Sequence, residues 1–203
     1  MEITDINTNT MRNGVKERII LGIDPGTNVL GYSVIEQKGK AITLLEMDVL
    51  KLGKIKDMST RMKVLFDSIV TIIDKYNPDI LSIEAPFFGK NVQSMLKLGR
   101  AQGLCIAAAF SRSIPFVEYS PRKIKQSITG NGASSKEQVA IMLQRIVKFE
   151  DMPKLMDATD ALAVAVCHFN QNDLIPKGET KAAAKSKKTS WASFVSNNPD
   201  KIF

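Results

Sequence analysis

Four acidic residues stand at the margins of apolar segments, where a soluble domain seldom places carboxylates. Asp24 and Glu84 each follow a short apolar run with the character of a buried strand, and Asp157 and Asp160 open an apolar stretch with helical character. A carboxylate is almost never buried without a partner. Four of them at the edge of one core therefore suggest a site for divalent cations.

Carboxylates that share one site need cations or raised pKa values in order to coexist. Two unit charges about 4 Å apart repel by roughly 4 kcal/mol at an effective dielectric near 20. Oxygen-only ligands favour Mg²⁺ or Mn²⁺ over zinc. Two such ions, roughly 3.5–4 Å apart, can stabilise both the attacking and the leaving oxygen of a phosphodiester displacement. The four acids thus predict metal-dependent phosphoryl chemistry.

Each of these acids also has an ordinary structural explanation. An aspartate before Pro-Gly, as at position 24, is a common turn former. Asp157 and Asp160 lie three residues apart near a helix start, where the helix dipole favours negative charge. Glu84 is harder to explain in this way, because its neighbours on both sides are almost all apolar.

The composition favours a polyanionic partner. The chain has 203 residues, 44% of them apolar, which is enough for one full core plus tails. Its formal net charge is +7, and a basic surface is typical of nucleic-acid-binding proteins, although it also serves solubility.

Cys105 and Cys167 lie in apolar stretches. They are predicted to be small core residues of a protein in a reducing compartment. With no secretory signal and no apolar run long enough for a bilayer, the chain is predicted to be cytoplasmic, with no membrane partner.

The order of elements predicts how the acids are positioned. Three strands at residues 19–23, 30–36 and 41–50 are joined by short turns into an antiparallel meander. The later elements are a helix from Met58 to Tyr76, a strand at 80–84, a helix at 92–110, a strand at 115–119, a helix opened by Ser120-Pro121, a helix to Val147 opened by a capping box of Ser134 and Glu137, and a last helix ending near Asn170.

This order predicts an α/β fold, a five-stranded mixed sheet with helices on both faces. Asp24 and Glu84 then fall at the carboxyl ends of strands, where sites form in such sheets. The domain is expected to span residues 18–171, after a flexible N-terminal extension (1–17). Residues 172–203 are expected to form a disordered basic tail, since six lysines between positions 176 and 203 stand against two acids.

The chain resembles the RuvC-type Holliday-junction resolvases within the RNase H-like nucleases. The resemblance covers roughly residues 18–171, in the family's order. It rests on the segments Ile20-Leu21-Gly22-Ile23-Asp24-Pro25-Gly26, Ile83-Glu84 with Phe87 and Lys90-Asn91, Leu96-Lys97-Leu98-Gly99, Lys123-Ile124-Lys125-Gln126, Gly130 to Lys136, and Asp157-Ala158-Thr159-Asp160-Ala161-Leu162-Ala163. It implies an RNase H-like fold, in agreement with the order of elements.

The resemblance also implies a reaction and a set of partners. By position, Asp24, Glu84, Asp157 and Asp160 match the catalytic acids that bind two Mg²⁺ ions, for which Mn²⁺ can substitute. Some members have histidine where Asp157 stands. A homodimer would nick two strands of like polarity in a four-way DNA junction, leaving 5′-phosphate and 3′-hydroxyl ends. A branch-migration helicase as working partner stays open.

The same resemblance marks candidate DNA contacts. Lys125 and Lys136 match basic positions near the scissile phosphate, and Arg122 and Lys90 would extend that surface. Phe87 falls where the family presents an aromatic ring to the junction bases, and stacking on an unpaired base contributes roughly 1–3 kcal/mol.

Three alternatives remain at this stage. One is an RNA-processing nuclease of the same fold group. Another is an actin-like or sugar-kinase-type ATP-binding protein, whose first phosphate loop resembles residues 22–27, although such proteins need two domains. A third is a non-catalytic scaffold, which would have no need of four mutually repelling acids. The single histidine, His168, is interpreted as a partly buried or surface residue rather than a ligand.

Overall fold

The computed structural model describes residues 11–12, 15–86, 91–147, 149 and 156–171. Within this part of the chain there are six strands and five helices. They are β1 (Met11–Arg12), β2 (Val15–Asp24), β3 (Val29–Lys38), β4 (Ala41–Lys51), α1 (Met58–Tyr76), β5 (Ile80–Glu84), α2 (Val92–Phe110), β6 (Phe116–Tyr119), α3 (Pro121–Thr129), α4 (Lys136–Val147) and α5 (Met156–Gln171).

The predicted five-stranded mixed sheet with helices on both faces is confirmed. Its strand order is β4-β3-β2-β5-β6, and the two-residue β1 pairs with β2 beside it. Strands β2, β3 and β4 are antiparallel neighbours, whereas β2, β5 and β6 run parallel. The switch from antiparallel to parallel pairing occurs at β2, the strand that ends on Asp24.

Two apolar clusters fill the two sides of the sheet. On one side, α1 and α2 pack against the sheet through residues such as Leu65, Ile69 and Cys105. On the other side, α3, α4 and α5 pack through residues such as Leu143 and Leu162. Each face is thus covered by helices, which explains why β5 reads as an almost continuous apolar run.

Strand β2 begins earlier than its apolar run suggested. It starts at Val15, inside the segment predicted as an N-terminal extension. Residues 17–24 pair with β3, and residues 15–16 pair with β1. Backbone pairing with β1 and β3 extends the strand here. Residues 1–10 and the predicted basic tail, 172–203, lie outside the described residues.

The predicted capping box of α4 is wrong by one residue. The Ser135 amide donates to the Gln138 side-chain oxygen (2.9 Å), and the Gln138 amide donates to the Ser135 hydroxyl (3.3 Å). Ser134 is instead buried, with its hydroxyl 2.8 Å from that of Thr129. Two consecutive serines fit the motif equally well in sequence, and packing against α3 selects which one caps the helix.

Both cysteines lie in the core, as the sequence predicts, whereas His168 is more deeply buried than predicted. Cys105 and Cys167 are both free and buried. His168 is also buried, and its Nδ1 lies 2.8 Å from the Tyr119 hydroxyl. None of the described helices has the length and hydrophobicity needed to cross a bilayer.

Candidate active site

Asp24 and Glu84 meet at one edge of the sheet because their strands are parallel neighbours. Ile23 pairs with Ile83, so the residues that follow, the last of β2 and of β5, emerge side by side. The charge of Glu84 contributes to a raised pKa of Asp24. The two acids that are sixty residues apart in sequence therefore share one electrostatic environment.

Helix α5 brings the other two acids to the same edge. It crosses β2 and β3 at glycines, since a Cβ atom on Gly31 would collide with the carbonyl oxygen of Asp157, and one on Gly22 with that of Ala161. The Ser82 hydroxyl donates to the Val164 carbonyl (3.0 Å) and fixes the helix on β5. The first turn of α5 is thereby held against the sheet, so that Asp157 and Asp160 lie beside the strand ends.

Burial and mutual repulsion raise the pKa values of both strand-end acids. The pKa of Asp24 rises to about 8, mainly through burial and then through the charges of Glu84, Asp160 and Asp157. The pKa of Glu84 rises to about 7, again mainly through burial, with a further contribution from Asp160. Strongly raised carboxyl pKa values cluster at functional sites.

Lys136, the first residue of α4, lies among these acids. Its Nζ forms an ion pair with the Asp160 carboxylate. Burial lowers the pKa of Lys136, but the hydrogen bond to Asp160 and the charges of Asp160, Asp24 and Glu84 outweigh burial and raise it above its usual value. One ammonium thus interacts with three of the four acids.

The predicted basic residues line cavities next to the acids. A cavity of about 50 Å³ is lined by Glu84, Lys125, Lys136 and Asp160, together with apolar residues of α3, α4 and α5. Arg122 and Lys125 share a second pocket of about 380 Å³ with the loop at 131–133. Phe87 and Lys90, the other predicted DNA contacts, lie outside the described residues.

A wider cleft opens on the other side of Asp24. It has a volume of about 500 Å³ and is lined by Asp24, Asp157, residues 25–29, and Ser94, Lys97 and Leu98 of α2. The acids therefore stand between a basic pocket and an open cleft, an arrangement suited to a long anionic substrate that passes across them.

The acids fit divalent cations in their chemistry but are not grouped as a ready-made metal centre. Their donors are all carboxylate oxygens, the ligands that Mg²⁺ prefers. Even so, no three histidine, cysteine, aspartate or glutamate side chains in the described part of the chain are arranged so that they could hold a metal ion. The cation that contacts an acid in this arrangement is the ammonium of Lys136.

Arg61 is a site residue that the sequence interpretation did not single out. Its guanidinium donates to the Ile55 carbonyl (2.9 Å), to the Asn28 side-chain oxygen (2.9 Å) and to the Thr27 carbonyl (3.4 Å). It therefore ties the loop that follows Asp24 to the start of α1. A single arginine in an amphipathic helix carries no local signal of this role.

Comparison with known protein families identifies one that covers most of the chain. A sequence model of the family described as crossover junction endodeoxyribonuclease RuvC matches residues 20–168. A protein of that description from Cytophaga hutchinsonii is 53% identical over 186 residues, which are 92% of this chain and 88% of the relative. One from Porphyromonas gingivalis is 52% identical over 189 residues, 92% of this chain and 98% of the relative.

Solved structures agree with this comparison. The structure of T. thermophilus RuvC in complex with a Holliday junction substrate has a TM-score of 0.73 at 29% identity, covering 77% of this chain and 96% of that one. The yeast mitochondrial Holliday junction resolvase has a TM-score of 0.60 at 17% identity, covering 76% and 78%. The second likeness concerns the fold alone, and together the two confirm the RNase H-like fold that the resemblance implied.

Proposed function

The chain belongs to the RuvC family of crossover junction endodeoxyribonucleases, and on this premise we propose that it resolves Holliday junctions. The reaction is a pair of symmetrical nicks in strands of like polarity, by phosphodiester hydrolysis that leaves 5′-phosphate and 3′-hydroxyl ends. The observation that carries the proposal is the gathering of four acids, from three separate segments of the sequence, at one sheet edge beside two lysines.

Asp24, Glu84, Asp157 and Asp160 are the residues that would hold Mg²⁺, or Mn²⁺ in its place. When bound there, a pair of such ions would supply an activated water and charge stabilisation for the departing 3′-oxygen. The raised pKa values of Asp24 and Glu84 support this role, because these carboxyls lack a positive charge sufficient to keep them fully ionised. Their burial holds the ligand oxygens in place and limits access of bulk water.

The lysines would hold the DNA backbone over the acids. Lys125 and Lys136 border the same small cavity as Glu84 and Asp160, so a phosphate that enters from the surface passes between ammonium and carboxylate groups. Arg122 would contact a neighbouring phosphate from the adjacent pocket. Such contacts fix the register of the backbone and carry no base information.

The exposed face of α2 supports a homodimer. Val92, Leu96 and Phe110 are each more than half exposed and share one stripe of the helix with Gly99 and Gly103. A Cβ atom on either glycine would meet nothing within 4 Å. An apolar stripe with small residues at its centre allows close approach of a second helix, and two subunits would place two sites on one junction. A branch-migration helicase as a further partner stays a prediction.

Cleavage of a synthetic four-way junction in Mg²⁺, with linear duplex of the same sequence as control, tests the proposal. We expect paired symmetrical nicks on the junction alone. Asp24→Asn and Glu84→Gln should each lower the cleavage rate by about 10²-fold or more, because each removes a charged ligand from the reacting centre.

Asp67→Asn is the matched control for these variants. Asp67 is an exposed acid of α1 that pairs with Lys63, and its loss should leave the rate unchanged. Equal attack on duplex and junction would contradict the proposed selectivity, and parental cleavage by Asp24→Asn would contradict the proposed site.

A further inference from the structure

Lys136 and Asp160 form a direct ion pair within the candidate active site. The ammonium of Lys136 contacts a carboxylate that a bound cation would also use. We propose that Lys136 is an internal counter-ion, which holds the place of a divalent cation at Asp160 until metal and DNA together displace it. The inference rests on the proposed function, in which Asp160 is a metal ligand.

The start of α4 determines where this ammonium lies. Lys136 follows directly on Ser135, whose reciprocal hydrogen bonds with Gln138 fix the first turn of the helix. Ser134, one residue earlier, is anchored to Thr129 of α3. Hydrogen bonds made by residues before and after Lys136 therefore fix its backbone. Its side chain extends towards the acids from this fixed position.

The exposure of the two partners is unequal, and this decides which one can leave. The side chain of Lys136 is 61% exposed, whereas that of Asp160 is 16% exposed. Because most of its side chain is exposed, Lys136 can rotate into solvent or towards a phosphate more easily than Asp160 can move. Asp160 stays where α5 places it. The pair is thus a movable cation on a fixed anion.

The negative charges of the acids are no longer offset when the ammonium of Lys136 moves away. Asp24, Glu84 and Asp160 repel one another, and Lys136 is the cation that opposes this repulsion at all three. An incoming divalent cation would replace it with greater charge and would gather carboxylates that are not grouped for metal binding while the ion pair is intact. Lys136 and the cation therefore compete for Asp160.

This competition couples metal binding to DNA binding. A backbone phosphate over the site offers Lys136 another anionic partner and so releases Asp160. Since coupling between two ligands is reciprocal, DNA should strengthen metal binding, and metal should strengthen DNA binding. In a variant without the ammonium, this part of the coupling should disappear.

Mn²⁺ binding to the full-length protein, followed by the electron paramagnetic resonance signal of free Mn²⁺, tests the inference. Lys136→Met should bind Mn²⁺ about fivefold more tightly than the parent protein, the factor expected when a partly exposed ion pair no longer competes. Addition of an uncleavable junction should tighten Mn²⁺ binding by the parent protein more than by the variant.

Lys125→Met is the matched control. Lys125 lines the same cavity and its charge also acts on Glu84. Its removal changes the electrostatic field at the acids but breaks no ion pair with Asp160. The Mn²⁺ affinity of Lys125→Met should therefore differ from that of the parent protein by no more than about twofold to threefold. Thermal unfolding in a chelator gives a second readout. Lys136→Met should melt below the parent protein there and gain more from added Mn²⁺.

The outcomes separate this inference from the proposed function. If the parent protein binds Mn²⁺ and Lys136→Met binds it equally or more weakly, the counter-ion role is overturned while the metal site stands. An equal gain in Lys125→Met would also overturn it, because a general field would then explain the effect. If neither protein binds Mn²⁺ with or without junction DNA, the metal-dependent function fails, and the inference fails with it.

Discussion

Burial holds two carboxyl groups of the site partly protonated near neutral pH in the metal-free protein. The pKa of Asp24 is raised to about 8 and that of Glu84 to about 7. Since metal ligands bind as carboxylates, cation binding must release these protons. Stronger metal binding and faster cleavage are therefore expected as the pH rises through this range.

The same shift predicts a stability cost at Asp24. Its pKa is 3.8 when unperturbed and about 8 in the folded protein, so between these values the folded state holds more protons than the unfolded state. The free energy of unfolding in the absence of metal therefore falls as the pH rises through this window. Asp24→Asn should raise the free energy of unfolding of the metal-free protein by about 0.5–2 kcal/mol at alkaline pH, with little effect below pH 4.

Urea denaturation in a chelator at the two ends of this pH window measures the effect. Asp67→Asn, at an exposed acid of α1, should give no such gain at alkaline pH. A destabilised Asp24→Asn at alkaline pH would mean that the carboxylate is better stabilised than its burial implies.

Arg61 acts on the site through the backbone that follows Asp24. Arg61→Gln removes the hydrogen bonds from one guanidinium to the Asn28 side chain and to two backbone carbonyls. The loop that follows Asp24 should therefore lose its fixed position. We expect about a tenfold or greater loss in single-turnover cleavage with nearly unchanged junction affinity, because misplaced ligands affect the reaction more than binding.

Arg112→Gln provides the comparison for Arg61. Arg112 pairs with Asp74 near the other end of α1 (2.6 Å), and its loss should leave cleavage unchanged. A parallel loss of junction affinity in Arg61→Gln would argue that Arg61 contacts DNA instead.

At the scale of elements, α5 is positioned by the small residues beneath it. Gly22 and Gly31 leave no room for a Cβ atom between the sheet and the helix backbone. The helix that carries Asp157 and Asp160 is thus placed by contacts of backbone with backbone, which are short and stiff. A site that needs several oxygen ligands within a few ångströms benefits from such a rigid support.

The exposed stripe of α2 predicts a test of the dimer. Leu96→Glu would place two like charges in an apolar interface, which is strongly unfavourable, so the variant should be monomeric by light scattering while its circular dichroism is unchanged. Gln93→Glu adds the same charge on an exposed position outside the stripe and should stay dimeric. Two dimeric variants would show that α2 is not the interface.

At the scale of the whole molecule, net charge and the position of the site act together. The chain carries +7, and the acids lie between a basic pocket and an open cleft. The positive charge attracts the DNA backbone, whereas the acids repel it until cations neutralise them. Metal should therefore be needed to position the scissile phosphate at the acids, but not for the initial binding of DNA.

Salt dependence tests the contribution of the basic surface. Junction affinity, measured with Ca²⁺ in place of Mg²⁺, should fall by about 10³-fold as the salt concentration rises from about 50 to 200 mM. A chain shortened after Gln171, which lacks six lysines, should give a shallower slope of affinity against salt. Identical slopes for both proteins would show that residues 172–203 make no phosphate contacts.

Local sequence patterns determined the elements of this protein and the edge at which its acids stand. The helices Met58–Tyr76 and Val92–Phe110 and the strand Ile80–Glu84 agree with their predicted bounds, because apolar periodicity and turn residues act over a few positions. Asp24 and Glu84 could be placed together since the carboxyl ends of parallel strands share an edge.

Only the tertiary structure decided which side chains complete the site. Lys136 meets Asp160 across two helices, Arg61 meets the loop after Asp24, and Ser135 rather than Ser134 caps α4. Each choice depends on how helices pack on the sheet and on which group is buried there. Long side chains with several possible partners produce no periodic pattern in the sequence. Tertiary packing therefore determines which partner each of them contacts.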